Sequence, residues 1–139
     1  MDQNEKFNML NPLRYATAVL IAVGGSMHAI GLVKGIIDNQ TFPIWYWVIF
    51  LIAIPGYLIS AVLILKNVKL GYYFTLISPI IGGLLIFLGF IFPRSNLLIL
   101  IPGTYKNEIT LIGFITLISE PVAAASSAFL IKHQIWDQT

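Results

Sequence analysis

The 139-residue sequence contains no cysteine, two histidines, and only eight basic and six acidic side chains. Without cysteine, disulfides, thiolate nucleophiles, zinc–thiolate sites and iron–sulfur ligation are excluded. A bis-histidine haem would need both histidines, and His133 lies outside the apolar stretches. The net charge of +2 is scattered along the chain, so the basic stripe that marks a nucleic-acid surface is missing. Glycine-rich phosphate loops, HExxH, GxSxG and paired carboxylates are absent as well. These gaps predict a chain that is no enzyme by itself, holds no metal or other cofactor and binds no nucleic acid.

What fills the chain is apolar. Hydrophobic residues make up 58% and charged residues 10%, against about a quarter charged in a soluble domain. Such a composition cannot cover a water-facing surface. Tyr15–Val33, Ile44–Leu65 and Leu70–Phe92 carry no formal charge, and Ile109–Ile131 carries one, Glu120. A helix needs about 20 apolar residues to cross a hydrocarbon core, and peptide groups there must bond within their own segment.

The expectation is an all-α integral membrane protein, a four-transmembrane-helix antiparallel bundle. Its helices are expected near 13–33, 44–65, 70–92 and 109–131, inside a domain spanning 12–132. A polar tail (1–11) precedes it and a short tail (133–139) follows. Asn11-Pro12 reads as an N-cap followed by proline at the first helical position. The connection 93–108 contains the apolar run Leu97-Leu98-Ile99-Leu100-Ile101, too short to span, and is expected as an apolar outer loop between helices 3 and 4.

Lys6, Arg14, Lys66, Lys69 and Lys132 fall on one side, and Lys34, Arg94 and Lys106 on the other. This bias predicts a cell-membrane protein with both termini cytoplasmic. Phe42, Trp45, Tyr46 and Trp47 would line the outer interface, and Tyr15, Tyr72, Tyr73 and Trp136 the inner one. Gly24 and Ser26 mimic a small-x-small cleavage site. The acidic start and the apolar continuation after Ser26 argue against a signal peptide. Asn39-Gln40-Thr41 matches a glycosylation sequon, read here as a chance tripeptide.

Glu120 is the most informative residue. A carboxylate at mid-span costs about 2.5–3.5 kcal/mol on insertion scales. Its helical face carries Gly113, Thr116, Ala123, Ala124 and Ser127, while Leu111, Ile115, Ile118, Val122 and Phe129 lie opposite. Ser119, Ala123 and Ser127 form a small-residue packing row. On the first helix, His28 shares a face with Thr17, Ile21, Gly24, Gly25, Gly31 and Gly35. Of these, Gly24, Gly25 and Gly31 are the expected packing positions.

A first helix ending at Val33 puts His28 about 7–8 Å below the boundary, against about 16 Å for Glu120. The sharper reading joins them in a proton path. The favoured one gives His28 a local backbone partner, because buried polar groups usually find one nearby. Pro55, Pro79 and Pro121 fall near the middles of three helices as candidate kinks. Pro55-Gly56 and Ser78-Pro79 are similar to the interrupted helices that line transporter sites.

Size, helix count and a single membrane-embedded glutamate resemble the small multidrug-resistance transporters. In that family the coupling glutamate lies in the first helix, whereas here it is Glu120 in the fourth, so no site residue carries over.

Two functions fit these features. The favoured expectation is a non-catalytic, structural or accessory subunit of a larger membrane complex, such as a respiratory or oxygenase assembly. Its partners would be membrane lipids and other integral membrane subunits. The alternative is a small homodimeric proton-coupled secondary transporter using Glu120.

Overall fold

The computed structural model describes residues 3–92 and 111–133. The described residues form four α-helices: α1 (Gln3–Ile37), α2 (Ile44–Leu65), α3 (Lys69–Ile91) and α4 (Leu111–His133). No strand occurs among them. Each helix contains a stretch long and apolar enough to cross a membrane, which points to a multi-pass membrane location. The connection 93–108, its apolar run 97–101 and residues 134–139 lie outside the described residues.

The interiors of the helices follow from hydropathy, and their ends follow from local chemistry. α1 does not stop at Val33 but runs on to Ile37, carrying Lys34 in its last turn. It ends where Asn39 takes the left-handed conformation at φ 53°. The Asn39 N–H donates to the Ile36 carbonyl at 3.1 Å and the Gln40 N–H to the Gly35 carbonyl at 2.9 Å. That paired closure is a Schellman motif. α2 ends the same way on Asn67 at φ 58°, with Asn67 N–H donating to Ile64 at 2.9 Å and Val68 N–H to Leu63 at 2.8 Å. Asparagine tolerates this backbone better than most residues because its short amide can bond locally. The tripeptide that matched a sequon is thus a helix terminator.

At the other end, α1 begins at Gln3 and passes through Asn11-Pro12. The expected cap at Asn11 is corrected accordingly. Proline fixes φ near the helical value, so in an early turn it removes one donor without breaking the coil.

Each helix packs mainly on two neighbours: α1 on α2 and α4, and α3 on the same pair. One apolar cluster joins Ala18 and Ile21 of α1, Tyr57, Ala61 and Ile64 of α2, Tyr72 of α3, and Ala123 and Leu130 of α4. A second, around Tyr46 and Phe50, gathers Leu32 from α1 and Leu85 and Ile86 from α3. Tyr46 and Tyr72 are therefore core residues, each in the first turn of its helix. The Tyr72 hydroxyl faces the α2–α3 turn, donating to Asn67 Oδ1 at 3.2 Å and lying 3.4 Å from the Ile64 carbonyl. Arg14, expected with the charges on one membrane side, is buried, and its Nη2 donates to the Tyr15 hydroxyl at 3.4 Å.

Candidate functional site

Between the two apolar clusters lies the one polar pair that a hydrocarbon environment would punish most. His28 Nε2 and Glu120 Oε1 are 2.7 Å apart. Their side chains are 11% and 12% exposed. At that distance one proton is shared: the imidazole N–H donates to the carboxylate, or the carboxyl O–H donates to the ring. The local backbone partner expected for His28 is corrected to Glu120.

The reason is depth. Because α1 continues to Ile37, His28 stands nine residues from that end, and Glu120 stands nine residues from Leu111 at the start of α4. At 1.5 Å per residue each is about 13–14 Å from an end of its helix. A first helix ending at Val33 would allow direct contact only with tilt.

Small residues let the pair meet. A Cβ added to Gly24 would lie 3.1 Å from Glu120 Cγ and 3.3 Å from its Oε1, and one on Gly25 would lie 2.7 Å from Tyr57 Cβ. Gly24 is thus the seat of the glutamate, and Gly25 is where the tyrosine's root comes against α1. Gly31 is buried on the same face of α1. On α4 the buried residues are Gly113, Thr116, Ser119, Ala123, Ala124, Ser127 and Leu130, so Ser119, Ala123 and Ser127 all point inward. Hydroxyls on α4 turn back on their own helix: Thr116 Oγ1 donates to the Ile112 carbonyl at 3.0 Å, Ser119 Oγ to the Thr116 carbonyl at 3.4 Å and Ser126 Oγ to the Val122 carbonyl at 2.8 Å.

Aromatic rings fix the imidazole. Tyr57 stacks on it with centroids 5.5 Å apart, and Phe50 meets it edge-on at 5.2 Å. Phe74 in turn stands edge-on to Tyr57 at 6.0 Å. The Tyr57 side chain also lies close to Glu120 and Ser78. The second ring nitrogen, His28 Nδ1, is buried without a hydrogen-bond partner among the described residues. Sequence reading missed Tyr57 and Phe50. The signal for Tyr57 was available: a tyrosine at mid-span, far from any interface, beside Pro55-Gly56.

Beside the pair opens a cavity of about 390 Å³, lined from all four helices. His28, Tyr57, Ser78, Thr116 and Glu120 supply its polar wall, and Phe50, Phe74 and Leu85 are among its apolar lining. The three candidate kinks separate here. Pro79 and Pro121 line the cavity, whereas Pro55 is exposed and does not. All three lie inside unbroken helices. Among the described residues, no three His, Cys, Asp or Glu side chains converge as a metal site would require.

Comparison with known protein families, with characterised proteins and with solved structures finds no match for this chain. The chemistry of the site is therefore read from its own geometry.

Proposed function

We propose that the chain is a small proton-coupled secondary carrier of the cell membrane, with the His28–Glu120 pair as its proton-exchanging group. In this reading the four helices cross as an antiparallel bundle with both termini cytoplasmic, and the connection 93–108 covers the outer end. The observation that carries it is the 2.7 Å contact of a mid-helix imidazole and carboxyl fronting a cavity of about 390 Å³. An intramembrane carboxyl is functional by default, and ligand pockets begin at about 300 Å³.

The electrostatics suit coupling. With one exchangeable proton the pair is imidazolium–carboxylate or imidazole–carboxylic acid, and both forms carry no net charge. Without that proton the site carries one negative charge, which is costly at this depth. Proton loading thus makes the occupied site cheap to move through the hydrocarbon.

In a subunit of a larger complex, Glu120 and His28 would fix packing against partners or help hold a lipid. Here they are partners of each other, and the apolar outer faces are those any membrane helix shows to lipid. That balance favours the carrier.

The test is uptake of a panel of small solutes into proteoliposomes under an imposed pH gradient. Wild-type protein is expected to accumulate at least one solute, and E120Q none of it. A wild-type protein that moves no member of the panel, or an E120Q protein that moves it at the wild-type rate, overturns the reading.

A further inference from the structure

We infer that the cavity fills sideways from the bilayer, and that its occupant is an uncharged amphiphile whose head both gives and accepts a hydrogen bond. This rests on the carrier reading and names its solute class. The first observation is where the cavity opens. Ile52 and Ile81 border it near the middles of α2 and α3, and Leu117 borders it six residues into α4; they are 67%, 54% and 37% exposed. A mouth leading to water would lie at helix ends and carry polar side chains. The exposed residues among the described lining are apolar, Val48 near the start of α2 included, so in a membrane they face acyl chains.

The second observation is the bare wall of α3. Gly82 and Gly83 line the cavity, and a Cβ built on either meets no atom within 4 Å. Elsewhere in the chain glycines mark crowding, as at Gly24 and Gly25. Here they mark open space beside α3.

The third observation is the charge of the lining. Among the described residues it contains no Lys, Arg or Asp, and its carboxyl is already paired with an imidazole. While the pair holds its exchangeable proton, a cationic or anionic head would leave a net charge at mid-span. A neutral head costs nothing of that kind. A hydroxyl on it can donate to the Glu120 carboxyl, and its oxygen can accept from the Tyr57 hydroxyl. The neighbouring rings of Phe50, Tyr57 and Phe74 receive the apolar carbons next to that head.

The probes are a long-chain alcohol bearing a diazirine near its head and a trimethylammonium compound with the same tail and diazirine. Both are photolysed with the protein in proteoliposomes, and the adducts are mapped by mass spectrometry. The alcohol is expected to label lining positions within 48–57, 78–86 and 116–121, and the ammonium compound to label them about tenfold less. Gly82→Phe sets its Cβ in open space, and with thermal stability retained it is expected to cut alcohol labelling about tenfold. Leu117→Trp, on another lip, gives the same readout if α3 does not accept the ring.

Equal labelling by the two probes, undiminished labelling of a stable blocked variant, or alcohol adducts confined to the outer faces overturns the inference. E120Q separates the two readings, because its amide still offers the head a partner while carrying no proton. Cavity labelling kept in E120Q, with no solute-driven proton movement in wild type, removes the carrier and leaves the sideways-filled site. Proton-coupled uptake without cavity labelling removes the site and leaves the carrier.

Discussion

A single methyl at position 24 or 25 tests how tightly the polar pair is seated. The clash at Gly25 is with Tyr57 Cβ, an atom rooted on the backbone, whereas Gly24 faces the movable Glu120 Cγ. Gly25→Ala is therefore expected to cost about 1–3 kcal/mol by overpacking, and Gly24→Ala less. Unfolding in mixed detergent measures the ranking, and the reverse order would count against this packing. His28→Ala leaves the Glu120 carboxyl buried with its partner gone, a loss of about 1–3 kcal/mol. Glu120→Gln keeps a group that can bond Nε2 and is expected to stay closer to wild-type stability than His28→Ala. If His28→Ala is as stable as wild type, the 2.7 Å contact holds nothing in place.

The helices themselves were legible as elements, because charge-free runs of spanning length admit one conformation in hydrocarbon. The inward face of α4 was legible for a related reason: small and hydroxyl-bearing residues recur on one side of a 3.6-residue period, and those positions are buried. Termini were not, since two asparagines in left-handed backbone decide where α1 and α2 stop, and nothing in hydropathy distinguishes them from loop residues. That error spread. Cutting α1 at Val33 moved His28 toward the surface and made its contact with Glu120 the less favoured reading. The cavity was also illegible, because Gly82-Gly83 reads as a packing site until the space beside it is seen. Asn67→Ala is expected to cost about 1–2 kcal/mol for the left-handed backbone it must hold, while Asn67→Gly stays near wild type. Thermal denaturation of the two variants compares them, and equal losses would show that the Tyr72 contact, not the backbone, matters at this turn.

Across the whole molecule, the absence of cysteine makes every introduced thiol an unambiguous reporter. Asp38 and Lys66 are exposed at the ends of α1 and α2, one helix apart. Asp38→Cys and Lys66→Cys are expected to react with an impermeant maleimide from opposite sides of sealed vesicles. Labelling of both from one side would undo the antiparallel crossing.

The intrachain hydrogen bond between α1 and α4 has a further consequence, one of stoichiometry. The carboxyl finds its counter-group within its own polypeptide, so neutralising it requires no second copy. In membranes holding mixtures of intact and E120Q chains, transport should fall along a straight line with the fraction of altered copies. A curve bending with the square of that fraction would mean that two chains must act together.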